Sequence, residues 1–252
     1  MVDASSADTY DSVADQTVTV TTSDNDVAAF TLSITTATVS ESGTTATFTA
    51  VLGAQPSSDV VLSITSADTG ETTVSASTLT FTNANWDTAQ TVTVTGIDDA
   101  LVDGDETTAV TISVVDASSD DAYDSVADQT VTVTTSDNDV AAFTLSITTA
   151  TVSESGTTAT FTAVLGAQPS SDVVLSITSA DTGETTVSAS TLTFTNANWD
   201  TAQTVTVTGI DDALVDGGQT TAVTISVVDA SSADTYDSVA DQTVTVTTSD
   251  ND

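Results

Sequence analysis

Residues 90–95 read Gln90-Thr91-Val92-Thr93-Val94-Thr95. An extended chain puts successive side chains on opposite faces, so every Val here points one way and every Thr the other. Both residues are β-branched, which favours strand and disfavours helix. Outward from this segment the same chemistry recurs. Strands are expected over 30–39, 45–52, 59–65, 72–75, 77–81, 90–95, 107–115 and 129–135. Between them stand turn residues: Gly43, then Gly53-Ala54-Gln55-Pro56, then Asp68-Thr69-Gly70-Glu71. No stretch keeps helical spacing over three turns. Short strands spaced roughly 8–14 residues apart predict an all-β fold, an immunoglobulin-like antiparallel β-sandwich. The expected core is Phe48, Leu62, Ile64, Leu79, Phe81, Val92, Val94, Val110, Ile112, Val131 and Val133. Trp86 is expected to plug one end, and Tyr123 and Tyr236 to pack beside the last hairpin. The outward Thr rows read as a soluble β surface.

The segment 26–138 returns as 139–251, a period of 113 residues. Within it, 27–113 and 140–226 differ only where Asp105 becomes Gly218 and Glu106 becomes Gln219. The first 26 residues repeat 114–139 and 227–252, with changes at Met1, Ala7 and Thr9. Near-identical units of domain size indicate a tandem array, not an enzyme with one unique cleft. The expected organisation is a fragment of a preceding repeat over 1–26, whose last-strand sequence at 16–22 lacks the rest of its domain and is either disordered or paired with a neighbouring chain's edge, and two sandwiches, 27–139 and 140–252, set end to end. A start part-way through a repeat predicts a longer tandem protein.

The chain has no Lys, Arg or His and 37 acidic residues, a net charge of −37. That balance excludes nucleic acid, whose phosphates require cations, and anionic membrane surfaces. No apolar run reaches the ~18 residues needed to span a bilayer, so no direct membrane insertion is expected. Without Cys there is no disulfide and no thiolate metal site. Without Lys, Arg or His there is also no internal ion pair, so self-repulsion must be met by salt or bound ions.

The acids fall in four clusters per repeat: Glu41 in Ser40-Glu41-Ser42-Gly43; Asp68 and Glu71; the run Asp98-Asp99-Ala100-Leu101-Val102-Asp103-Gly104-Asp105-Glu106; and Asp137-Asn138-Asp139. In an immunoglobulin-like strand order these four places share one pole. Crowded carboxylates repel, and a hard cation relieves the conflict. Calcium accepts 6–8 oxygens in flexible geometry, and magnesium's octahedron suits this many carboxylates less well. The spacing is not that of an EF-hand loop. Zinc is disfavoured without His or Cys.

Val39-Ser40-Glu41-Ser42-Gly43, Thr91-Val92-Thr93-Val94 leading to Asp98-Asp99, Asp103-Gly104-Asp105-Glu106-Thr107, and Val131-Thr132-Val133 ending in Ser136-Asp137-Asn138-Asp139 together resemble the Calx-beta pattern. The stretch from Phe81 to Trp86 followed by 90–94 is similar to bacterial versions of it. The resemblance covers the whole repeat, twice. It implies calcium-binding sandwiches of the kind strung in tandem in large secreted RTX-type adhesins of bacteria, where they form stalks. By position it implies calcium ligands at Glu41, Asp98, Asp99, Asp103, Glu106, Asp137 and Asp139, with Asp68, Glu71 and Asp105 as further candidates. In the second copy it implies Glu154, Asp211, Asp212, Asp216, Asp250 and Asp252, with fewer or looser sites because Gly218-Gln219 removes two charges.

The expected function is therefore a calcium-rigidified extender of a cell-surface adhesin, extracellular, holding a distal binding domain away from the cell. Its partners would be calcium ions and neighbouring repeats, with any cell-surface or carbohydrate target met through other domains. The alternative is a repeat that itself binds carbohydrate, ice or another cell. An enzyme is disfavoured, because no nucleophile–base pair can be built without His, Lys or Cys.

Overall fold

The structure is a computed structural model and describes residues 13–252. In the first repeat the chain runs through β1 (Phe30–Leu32), β2 (Thr36–Ser40), β3 (Thr45–Leu52), β4 (Val60–Ser66), β5 (Thr72–Val74), β6 (Thr78–Phe81), β7 (Gln90–Gly96), β8 (Leu101–Val102), β9 (Glu106–Val114) and β10 (Gln129–Ser136). Two short 3₁₀ turns, Asp116–Ser118 and Asp121–Tyr123, link β9 to β10. One sheet has the order β1-β3-β7-β5 and the other β2-β10-β9-β4-β6. The second repeat follows the same plan with β11 (Phe143–Leu145), β12 (Thr149–Ser153), β13 (Thr158–Leu165), β14 (Gln168–Pro169), β15 (Val173–Ser179), β16 (Thr185–Val187), β17 (Thr191–Phe194), β18 (Gln203–Gly209), β19 (Gln219–Val227) and β20 (Gln242–Ser249). Its sheets are β11-β13-β18-β16 and β12-β20-β19-β15-β17.

The period-2 pattern becomes the sandwich core. In β7, Val92 and Val94 are fully buried while Thr91, Thr93 and Thr95 lie nearer the surface. All eleven core residues expected in the first repeat are buried, joined by Phe30, Val39, Ala50, Leu52, Val60 and Tyr123. Trp86 is half-buried against this core, and its carbonyl accepts from the Leu52 amide at 3.1 Å. The Tyr123 hydroxyl donates to the Ala54 carbonyl at 2.6 Å, and Tyr236 repeats the contact with Ala167 at 2.5 Å.

One strand expectation is corrected. The segment 30–39 is two strands in different sheets. β1 pairs antiparallel with β3, and β2 pairs parallel with β10. The break falls at Ser33, whose amide donates to the Thr49 carbonyl and whose hydroxyl accepts from the Thr49 amide. These bonds end the pairing with β3, and the Thr35 carbonyl then begins the ladder with β10. The sandwich is thus antiparallel except at this edge. The segment 16–22 carries the sequence of β10 but forms no strand and lies exposed. β10 draws its hydrogen bonds from β2 and β9, and 16–22 has neither neighbour beside it. Of the expected preceding-repeat fragment, residues 1–12 lie outside the described residues.

Beyond 113 the repeats differ at two further positions: Asp120 and Ala122 become Ala233 and Thr235. Asp120 takes four donors. Its Oδ2 accepts from the Ser57 amide and hydroxyl, both at 2.6 Å, and from the Ser58 amide at 3.0 Å; its Oδ1 accepts from the Ala122 amide at 3.0 Å. Those bonds, the Ser57 hydroxyl first, hold its pKa down at about 2. Ala233 instead joins the apolar cluster of the second repeat.

Candidate metal centre

One end of each sandwich gathers the acids, and local backbone geometry explains how. β7 approaches β2 so closely that a Cβ at Gly96 would lie 2.3 Å from the Ser40 carbonyl oxygen. Only glycine permits that approach, which brings the start of the 98–106 loop beside Glu41. Gly104 adopts a φ of +83°, the left-handed region, and its amide donates to Asp137 Oδ2 at 2.9 Å. The loop is thereby tied to the exit of β10. Asp99 braces it from within, its Oδ1 accepting from the Leu101 amide at 2.7 Å.

At the centre, carboxylate oxygens of Glu41, Asp137 and Asp139 lie within 4.8 Å of one another. Glu41 is only 2% exposed. Its Oε2 accepts from the Asn138 amide at 3.1 Å, and the Asn138 side chain donates to Asp98 Oδ1 at 2.9 Å. The Asp139 amide donates to Asp137 Oδ1 at 2.6 Å, and the Asp137 amide to Asp105 Oδ1 at 3.3 Å. Burial raises the pKa of Glu41, opposed by the Asn138 amide and reinforced by Asp137, Asp99 and Glu71. Asp103 is raised by burial and then by Asp99, Asp137 and Glu106. Glu71 is raised by burial and then by Asp103, Asp99, Asp68 and Glu106. Asp139 is raised by burial and then by Asp137, Asp98 and Asp99. All four clusters therefore meet electrostatically at one pole. The tight trio is narrower than the sequence suggested: Asp98 and Asp105 are engaged with amide donors, while Asp68 and Glu106 lie exposed at its margin.

The donor set fits a hard cation. Every candidate ligand is an oxygen, and buried Asp103 Oδ1 and Asp139 Oδ2 have no hydrogen-bond partner. An unpartnered buried carboxylate oxygen is costly, and the chain has no Lys, Arg or His to meet it. A divalent ion held by Glu41, Asp137 and Asp139, with Asp103 at hand, would supply the missing positive charge.

The second pole repeats this plan. Glu154, Asp250 and Asp252 lie within the same 4.8 Å. Glu154 Oε2 accepts from the Asn251 amide at 3.2 Å, and the Asn251 side chain donates to Asp211 Oδ1 at 3.0 Å. Gly217 donates to Asp250 Oδ2 at 2.7 Å, and Asp212 Oδ1 accepts from the Leu214 amide at 2.7 Å. Asp216 lies exposed in the loop between them. Glu184, the counterpart of Glu71, is 9% exposed with an unpartnered Oε2. Its pKa is raised by burial and then by Asp216, Glu154, Asp212 and Asp181. The Asn at the centre of each exit is a contributor that the acidic pattern alone left in the background, and Glu184 takes in the second repeat the place of the candidate Glu71. Asn138 stood between two aspartates in every copy, which was the available signal.

No family model matches the sequence, and no curated protein matches it. Among solved structures, the calcium binding domain CBD12 of CALX1.1 aligns over 78% of this chain and 79% of that one, at 15% identity and a TM-score of 0.34. CBD12 from CALX1.2 aligns over the same shares at 16% identity and a TM-score of 0.33. Domains 1–6 of the surface layer protein SbsC align over 76% of this chain and 20% of that one, at 19% identity and a TM-score of 0.37. Among the described residues no helix is long and apolar enough to cross a membrane.

Proposed function

We propose that each repeat is a calcium-held structural module, and that the tandem serves as a stiff extracellular extender of a large bacterial surface adhesin. The observation that carries the metal reading is the trio of Glu41, Asp137 and Asp139 beside two buried, unpartnered carboxylate oxygens in a chain devoid of cationic side chains. The stiffening follows from where the trio lies. Asp137 and Asp139 flank the passage into the second repeat, with no Gly, Ser or Pro spacer between Asp139 and Phe143. An ion on Glu41 and both exit aspartates would fix that passage to the body of the first sandwich. Extracellular calcium modules bind at roughly 10⁻⁴–10⁻³ M. At a hundredfold excess over the dissociation constant, one site stabilises its domain by about 2.7 kcal/mol, a large share of the ~5–15 kcal/mol typical of a domain.

The test is calorimetric titration of the full chain with calcium, beside Glu41→Gln combined with Asp137→Asn. The double variant removes two charges of the first trio while keeping its shape. It should lose the heat of at least one site and leave the second repeat's response in place. An unchanged isotherm would mean that the trio is not a calcium site.

A further inference from the structure

The 98–106 loop has a second face. Between its acids stand Leu101 and Val102, which form β8 and pair in parallel with β14 of the second repeat, Leu101 opposite Gln168 and Val102 opposite Pro169. The Gln168 amide donates to the Ala100 carbonyl at 2.6 Å. Val102 is only 8% exposed and joins the second repeat's buried apolar cluster, which includes Ala167, Ala233 and Tyr236. The loop thus docks on the next sandwich through an apolar edge, although Asp99 and Asp103 flank that edge in sequence.

The receiving face is built from segments that the two repeats share almost entirely. Ala167-Gln168-Pro169-Ser170-Ser171 is identical to Ala54-Gln55-Pro56-Ser57-Ser58. The link between the last two strands differs only where Ala233 and Thr235 replace Asp120 and Ala122. Thr235 is exposed, so Ala233 is the substitution that reaches the apolar cluster. At Asp120 the same place holds an ionised carboxylate. Its donors come from Ser57, Ser58 and Ala122, and none of them carries positive charge. Its low pKa, about 2, keeps it charged at neutral pH. An apolar side chain laid on such a group removes its remaining water and returns no partner. The acids beside Val102 would add like-charge repulsion, which no cationic side chain of this protein offsets.

We propose that the residue at positions 120 and 233 selects the neighbour that a repeat accepts. Alanine admits a Leu-Val edge such as Leu101–Val102 from the repeat before it, and aspartate refuses that edge. Repeats that are otherwise near-identical then form two kinds of joint, one locked by β8 on β14 and one without that lock. The selection lies in the apolar contact and its charge, apart from any ion at the pole.

The junction between the two repeats carries the test in the full chain. Leu101→Cys with Gln168→Cys places cysteines on register partners of neighbouring strands, about 4.8 Å apart and within reach of a disulfide. The protein has no other cysteine. Ala233→Asp with Thr235→Ala gives the second repeat the receiving sequence of the first. In that background the disulfide should form about tenfold more slowly or worse, because the two edges no longer dwell together. Thr235→Ala alone should leave the rate unchanged. Val102→Lys added to Ala233→Asp should bring the rate back to within about threefold of the original by pairing the new carboxylate, whereas Val102→Lys beside Ala233 should slow it. A disturbed fold would not recover in this way. An unchanged rate with Ala233→Asp, or a loss that Val102→Lys does not recover, would overturn the proposal.

Discussion

At the first pole the Asp137 amide reaches Asp105 Oδ1, Glu106 adds its charge to the fields on Glu71 and Asp103, and the second repeat covers the loop. At the second pole Gly218 and Gln219 stand in place of those two acids, Asp216 and Asp252 are exposed, and Leu214–Val215 is uncovered. Yet the ties from Asn, Gly and Asp survive unchanged, and the trio keeps its 4.8 Å spread. The difference teaches that the trio is built by the backbone and by Asn251, without help from residues 218 and 219. Those positions tune how much negative charge surrounds it. The two sandwich bodies, by contrast, are one solution used twice, with the same register in each sheet.

The largest expected effect tests that sameness. Phe48 and Phe161 are each 1% exposed at matching places. Truncation of a buried Phe to Ala costs about 3–5 kcal/mol through lost transfer energy and the cavity left behind. Phe48→Ala and Phe161→Ala should destabilise their own repeats equally, read by hydrogen exchange in the peptides over 116–128 and 229–241, which differ in sequence. Unequal losses would show that the two bodies are not equivalent.

A second comparison exchanges the poles. Gly218→Asp with Gln219→Glu should tighten calcium binding at the second repeat by roughly tenfold, about 1.4 kcal/mol. Asp105→Gly with Glu106→Gln should loosen the first by a similar factor. Matching titrations before and after the exchange would place residues 105 and 106 outside the influence of the ion.

The smallest expected effect separates the repeats in acid. Asp120 has a folded pKa of about 2, below the ~3.9 of an unfolded Asp. Its contribution is fully present above the unfolded value and is lost as pH falls from about 4 to about 2. In chelator, the wild-type first repeat should lose stability over that window more steeply than Asp120→Ala does. Ala233→Asp should confer the same acid sensitivity on the second repeat, where Ser170 and Ser171 stand ready to donate. Parallel acid profiles for wild type and Asp120→Ala would mean that the four hydrogen bonds add nothing to folding.

The body of the fold was legible because period-2 alternation fixes which face of a strand is buried, and the core residues followed from it. The split of 30–39 was not legible: Phe30 and Val39 both suit a buried face, and only the tertiary bonds at Ser33 decide that the chain changes sheets. The gathering of four acidic clusters could be argued from strand order, but the narrowing to Glu41, Asp137 and Asp139 depends on the Gly96 approach and on Asn138. Leu101–Val102 read as an interruption in an acidic run. Its role depends on a neighbour that a single repeat cannot reveal.

The central claim is that calcium at the poles decides the stability of the sandwiches. Thermal melting of the full chain by circular dichroism, in calcium at a hundredfold excess over the dissociation constant and again in chelator at equal ionic strength, tests it most directly. The account predicts a melting temperature higher in calcium by about 10 °C or more, with magnesium at the same concentration giving less. Coincident melting curves in calcium and chelator would contradict it.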